Sequence, residues 1–217
     1  MTTKDKVKHE ILRCGFVPII RTDNPEAAVR VAGAIRDGGA PLLEITMTVP
    51  GALHIIKEIV DAFGDTVLVG AGTILDSETA RMAILAGAEF IVAPTLDVAT
   101  IRLCHRYSKI IMPGALTPSE ILQAWEMGAD FVKVFPADAM GGAAYIKAVK
   151  APLPQVDMIP TGGVDIDTAA DFIRAGASAV GVGSALIDRQ FVAAEAWDRL
   201  SQKTEDFLKT ISAARIG

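Results

Sequence analysis

Short runs rich in Val, Ile, Leu and Phe alternate with longer stretches of helical periodicity from residue 16 almost to the end of this 217-residue chain. No other feature restricts the available folds as much. Eight runs qualify as strands: FVPII, PLLEIT, TVLVGAG, FIVAPT, KIIMPGA, FVKVFP, VDMIPTG and AVGVGS. Helix starts lie between them. Asn24 stands before Pro25 and Glu26 as a cap with proline at the first helical position, and Thr117-Pro118-Ser119-Glu120 reads as a capping box. A charged amphipathic helix precedes the first strand, and a closing helix is expected near residues 190 to 212. Strict βα alternation requires parallel strands, and eight units predict a closed (β/α)8 TIM barrel. No linker or shift of composition interrupts residues 1–217, so the expected organisation is a single α/β domain with an N-terminal helix.

An internal repeat refines this expectation. Gly-Ala recurs at 39, 87, 128 and 176, each time ending a helical pattern ahead of a strand, with spacings of 48, 41 and 48. Each interval holds about two βα units, so the pairs introduce the even-numbered strands. The fourth residue after each alanine is Glu44, Val92, Lys133 and Gly181 in turn. Even strands of such a barrel contribute four inward side chains to one layer, which places Glu44 opposite Lys133 and surrounds them with little bulk.

A lysine within Phe131-Val132-Lys133-Val134-Phe135 needs either a route to water or a task. Desolvation there favours the neutral, nucleophilic amine, whereas an ionised Glu44 nearby favours the ammonium. An amine and a carboxylate in one dry chamber are the parts that carbonyl chemistry needs, the first to form an imine and the second to move protons. The alternative is a buried ion pair of purely structural purpose, a costly arrangement to desolvate.

Two glycine-rich stretches, Thr161-Gly162-Gly163 and Gly181-Val182-Gly183-Ser184, follow or end the seventh and eighth runs. At those places a bare backbone and a helix N-terminus receive phosphate in barrels of this type, although glycine also serves tight turns. Gly70-Ala71-Gly72-Thr73 offers open backbone and a hydroxyl for a carboxylate, or simply a turn. Arg21 closes the first run at the same barrel mouth, where it is a second candidate ligand for a carboxylate.

The remaining composition excludes other classes of function. A formal charge of -5 without a cationic block argues against nucleic acid. Cys14 and Cys104 stand outside any CxxC pair, which argues against zinc or a disulfide framework and fits a reducing cytoplasm. No apolar stretch has the length of a membrane span or a secretion signal, so the expected location is cytoplasmic. His9, His54 and His105 lack ligand spacing, Cys104-His105 is no catalytic pair by adjacency, and Trp125, Trp197 and the methionines read as packing groups. No metal set is evident.

With these pieces in order, the chain resembles the 2-keto-3-deoxy-6-phosphogluconate (KDPG) and 4-hydroxy-2-oxoglutarate (KHG) aldolase family over nearly its whole length. The motifs that carry the likeness are LLEIT with Glu44, VGAGT with Thr73, IVAPT with Pro94, MPGALTPSE, VKVFPA with Lys133, PTGGV, and VGVGSAL with Ser184. The resemblance implies a class I aldolase, a carbon–carbon lyase that forms a Schiff base, assembles as a homotrimer and requires neither metal nor other cofactor. It further implies that Lys133 attacks the ketone of a phosphorylated 2-oxo acid, with Glu44 as the proton shuttle. Pyruvate and glyceraldehyde 3-phosphate would leave, or pyruvate and glyoxylate if 4-hydroxy-2-oxoglutarate is the substrate. By the same likeness Thr73 and its strand hold the carboxylate, Gly162, Gly163, Gly183 and Ser184 hold the phosphate, and Pro94, Phe135 and Thr161 complete the substrate pocket. Threonine stands at position 48 where many members carry a carboxylate-binding arginine, so Arg21 becomes the expected replacement. A 2-keto-3-deoxy-6-phosphogalactonate aldolase, or a phosphate-binding barrel without aldolase activity, are the alternatives, because fold does not dictate reaction.

Overall fold

The computed structural model describes residues 3–216. Its strands are β1 (Phe16–Ile20), β2 (Leu42–Thr46), β3 (Leu68–Gly72), β4 (Phe90–Val92), β5 (Ile110–Met112, resumed at Gly114–Ala115), β6 (Val132–Val134), β7 (Met158–Pro160) and β8 (Val180–Val182). All pair in parallel. One run of neighbours passes from β5 through β4, β3, β2 and β1 to β8, and the resumed part of β5 joins β6 and then β7. A parallel bridge between Thr161 and Gly181 joins β7 to β8 and closes the ring. The eight runs read from the sequence are the eight staves of the barrel.

Side chains alternate as the pleat demands. Val17, Leu42, Leu68, Phe90, Val92, Ile110, Met112, Phe131 and Ile159 point into the lumen and form one cluster. Their neighbours, among them Phe16, Leu43, Ile45, Val69, Ile91, Ile111, Val132 and Val180, face the helical shell. Helix α1 (Thr3–Cys14) plugs the N-terminal end, because its Val7 and Ile11 belong to the lumen cluster and are fully buried. Burying each such side chain contributes about 1.5–3 kcal/mol. Lys4 pairs with Asp130 at 2.8 Å and ties this plug to the start of β6.

The shell consists of α2 (Pro25–Asp37), α3 (Ala52–Phe63), α4 (Ser77–Leu85), α5 (Val98–Arg106), α6 (Pro118–Glu126), α7 (Ala143–Lys150) and α8 (Ala169–Arg174), followed by α9 (Arg189–Ala193) and α10 (Trp197–Ile216). The expected starts are in place. Asn24 caps α2 ahead of Pro25, and Thr117 with Glu120 forms the capping box of α6. All four repeat glycines, Gly39, Gly87, Gly128 and Gly176, take φ between 90° and 110° just past a helix, where the chain must turn left-handed to enter the next strand.

Two expectations require correction. The single strand KIIMPGA is divided at Pro113, which lacks an N–H to donate, although its carbonyl still accepts from Lys133 N at 2.9 Å. The one closing helix is in fact two. Ala194–Ala196 break it, with Glu195 at φ 49°, and the short α9 turns away from α10 toward the barrel mouth.

Candidate active site

Glu44 lies in the middle of β2 and Lys133 in the middle of β6, each two residues beyond a lumen-filling apolar side chain, Leu42 and Phe131 respectively. Period-two alternation therefore carries both into the lumen from opposite staves. They are 1% and 7% exposed, so neither obtains ordinary hydration. Among the described residues they form no direct ion pair, and Glu44 Oε1 is buried without a hydrogen-bond partner. Burial pushes the Glu44 carboxyl above its ordinary value of 4.5, against the opposing pull of Lys133 and Arg21. An orphaned buried carboxyl oxygen costs free energy that folding alone does not require.

Glycine shapes the chamber differently from the sequence expectation. A Cβ on Gly72 would overlap Glu44 Oε1, so this glycine makes room for the carboxyl rather than only baring backbone for a ligand. Gly181 leaves no empty corner either. The hydroxyl of Thr161 and the Ile19 side chain occupy the space above it. Thr73, next along β3, holds φ 57°, a left-handed conformation that a β-branched residue adopts at a cost of about 1–3 kcal/mol.

A cleft of about 1140 Å³ opens at the C-terminal ends of β1, β7 and β8, between the barrel rim and α9. Arg21, Phe135, Thr161, Gly162, Gly163, Gly183 and Ser184 all line it, which brings seven of the sequence candidates into one space. The ring centroid of Phe135, which lines the cleft, stands 5.1 Å from Lys133 Nζ, whereas Lys133 and Glu44 themselves lie behind the lining. Gly162 and Gly163 take φ 96° and 66°, and a Cβ on Gly163 would strike Asp138, so glycine is required there on both counts. The main-chain amides of Gly162, Gly163, Ser184 and Ala185 find no acceptor among the described residues, and they can serve an anion. The expected helix N-terminus is less available, because Asp188 caps the five-residue α9 by accepting from Gln190 N at 2.8 Å.

Thr73 and Pro94 do not line that cleft. Both stand on the β3–β4 side, Thr73 beside the Glu44 chamber and Pro94 with its carbonyl packed against Gly114. The remaining tempting residues take structural places. His105 Nε2 bonds to Gly128 O at 2.8 Å, His9 and His54 are exposed, and both tryptophans pack against the core. Burial pushes Cys14 to about 11 and Cys104 to about 12, far from nucleophilic service.

Residue-by-residue reading missed the supports of the site. Thr46 is fully buried; its hydroxyl lies 3.3 Å from Ile20 O and 2.8 Å from Thr48 Oγ1. The threonine at the usual arginine position is thus engaged with β2, and Arg21 is the cation that acts on Glu44 besides Lys133. Asn24, Asp188, Arg189 and Gln190 also border the cleft. The sequence shows Asn24 only as a helix cap and Gln190 only as the start of a closing helix, while Asp188 and Arg189 lie ahead of that helix and carry no motif.

Comparison with known proteins agrees with this geometry. The family described as KDPG and KHG aldolase matches residues 7–203. A 2-dehydro-3-deoxy-6-phosphogalactonate aldolase of Escherichia coli is 35% identical over 200 residues, covering 92% of this chain and 95% of that protein. A 2-dehydro-3-deoxy-phosphogluconate aldolase of Haemophilus influenzae is 29% identical over 209 residues, covering 96% and 98%. The solved KDPG aldolase of Legionella pneumophila, with pyruvate captured as a covalent carbinolamine intermediate, superposes with a TM-score of 0.85 at 26% identity, covering 91% of this chain and 96% of that one. With a matched barrel, a buried amine–carboxyl chamber and likeness along almost the entire length, this chain belongs to the KDPG and KHG aldolase family of carbon–carbon lyases.

Proposed function

We propose that the protein cleaves a phosphorylated 2-oxo acid by Schiff-base chemistry at Lys133. The observation that carries the reading is the unpartnered, buried Glu44 Oε1 in the same lumen as the buried Lys133 amine. Lys133 Nζ attacks the C2 ketone, and loss of water from the carbinolamine leaves an iminium. Glu44, whose carboxyl burial holds above its ordinary range, supplies the proton that the departing hydroxyl needs. As its conjugate base it then takes the C4 hydroxyl proton. The C3–C4 bond breaks, its electron pair enters the iminium to form an enamine, and the aldehyde departs. Protonation at C3 and hydrolysis release pyruvate and restore the amine.

In this reading Arg21, with Thr73 and the β3 backbone, holds the carboxylate, and the exposed amides of Gly162 and Gly163 with Gly183 and Ser184 hold the phosphate. Thr161, Phe135 and Pro94 bound the carbon chain. We assign 2-keto-3-deoxy-6-phosphogluconate as substrate, cleaved to pyruvate and glyceraldehyde 3-phosphate, with 4-hydroxy-2-oxoglutarate a further substrate of the same amine. The phosphogalactonate epimer is the second reading, favoured by the 35% identity to an enzyme named for it. The exposed Leu75, Met82 and Leu85 on and beside α4 support assembly, which we propose to be a homotrimer, within the cytoplasm and as one domain spanning residues 1–217. No helix of the described residues is long and apolar enough to cross a membrane.

The test is borohydride reduction in the presence of pyruvate, followed by peptide mass spectrometry. The expected adduct is on Lys133. Its absence, or its appearance on another lysine, would refute the assignment, and comparison of turnover on the two epimeric substrates decides between the readings.

A further inference from the structure

The proposed substrate carries a carboxylate at one end and a phosphate of about −1.5 to −2 at the other. The cleft that would receive it is not generally basic. Asp23, Asp188 and Glu195 line it, against two basic side chains among the described residues, Arg21 and Arg189. The phosphate loops supply only neutral amides and a hydroxyl. Without a directed cation at each end, the acidic rim would repel the ligand it must admit.

Arg21 is accounted for, because it directly follows Ile20, whose partner across the β1–β2 pair is Ile45 next to Glu44, and so stands on the Glu44 side of the cleft. Arg189 remains. It opens α9, is exposed, borders the same cleft as Gly162, Gly163 and Ser184, and has no ion pair or hydrogen bond among the described residues despite the acids beside it. The short helix that bears it contributes no buried side chain to the core. Its position is set instead by Phe191, whose ring receives Arg199 and Lys203 of α10 at 5.7 Å each, and by the Asp188 cap. A separate five-residue helix, turned from α10 at Glu195 and touching the core only through the half-buried Val192, is an expensive way to fill space and a reasonable way to present a side chain.

Resting on the aldolase reading above, we infer that Arg189 is a specificity-determining residue that recognises the phosphate end of the substrate and selects phosphorylated over unphosphorylated aldehydes. A guanidinium there adds the charge that the amides of the two glycine loops lack. Because the contact is remote from the reacting carbons, it acts on binding more than on chemistry.

The experiment begins with wild-type protein, pyruvate and borohydride. Failure to label Lys133 brings down the aldolase reading and this inference together. With labelling established, aldol addition of pyruvate to glyceraldehyde 3-phosphate and to glyceraldehyde is compared in wild type, Arg189→Gln and Arg189→Lys. Arg189→Gln is expected to raise KM for the phosphorylated aldehyde about tenfold, with a much smaller change in kcat, and to lower the preference for it over glyceraldehyde by about the same factor. Arg189→Lys recovers most of that preference, and added salt weakens discrimination in wild type more than in Arg189→Gln. An unchanged KM and preference in Arg189→Gln, in protein whose Lys133 still forms the imine, overturns the inference alone.

Discussion

The two ends of the barrel lumen are built from the same staves and do opposite things. Toward the N-terminal end, Leu42, Leu68, Phe90, Ile110 and Phe131 form one apolar cluster with Val7 and Ile11 of the α1 plug. Two residues further along, β2 turns from Leu42 to Glu44, β3 from Leu68 to Gly70 and β6 from Phe131 to Lys133. One step of the pleat therefore separates an oily stopper from a chamber with an orphaned carboxyl. The contrast teaches that this fold confines the cost of its chemistry to one layer: Glu44 and Lys133 give up stability to hold a carboxyl and an amine in a dry chamber, while the layer beneath them carries the packing.

The strongest way to break that comparison is at Lys133. Lys133→Met should lower aldol cleavage by on the order of 10⁵-fold while leaving the thermal midpoint equal or higher, since a buried cation gives way to an apolar chain of similar length. Retained turnover would place the amine outside the chemistry. Glu44→Gln should lower kcat by about 10²–10⁴-fold, measured together with the rate of imine trapping by borohydride. At the opposite end, Phe131→Ala should cost roughly 3–5 kcal/mol in urea unfolding, yet leave kcat of the folded protein within a few-fold. A collapse of kcat without loss of stability there would mean that the layers are coupled. Arg21→Ala is expected to raise KM for pyruvate about tenfold in the synthetic direction, and an unchanged pyruvate dependence would remove Arg21 from the carboxylate site.

The smallest effect sharpens the comparison through pH. Glu44 titrates above its ordinary 4.5 in the folded chain because burial disfavours the carboxylate. Below about 4.5 the group is protonated in both folded and unfolded states and costs nothing. As pH rises above that value the unfolded chain releases the proton first, so folding stability falls until the folded carboxyl also ionises. Glu44→Gln should accordingly be more stable than wild type at neutral pH, with the gap closing on acidification toward 4.5. Calorimetric midpoints across that range provide the check, and a gap independent of pH would contradict it.

Local chemistry made much of the fold legible. The glycine after each of four helices, the Asn24 cap and the Thr117–Glu120 box all concern neighbours within a few residues, and each is found as read. Pro113 is legible in principle, since a residue without an N–H interrupts a ladder wherever it stands, although the apolar run KIIMPGA by itself predicts one strand. The break between α9 and α10 was not, because nothing in Ala194-Glu195-Ala196 forbids helix, and Glu195 turns left-handed there all the same.

At the site the division follows the same line. Alternation with a period of two by itself determined that Glu44 and Lys133 face inward, and strict βα order placed the glycine loops at the same end of their strands. Only tertiary structure decided that Gly72 yields its space to the Glu44 carboxyl, that Thr161 fills the space above Gly181, and that α9 brings Arg189 to the rim. Side-chain direction is set by the pleat and is written in each strand, whereas proximity between strands depends on how the closed barrel staggers them, a property of the whole ring and of no segment within it.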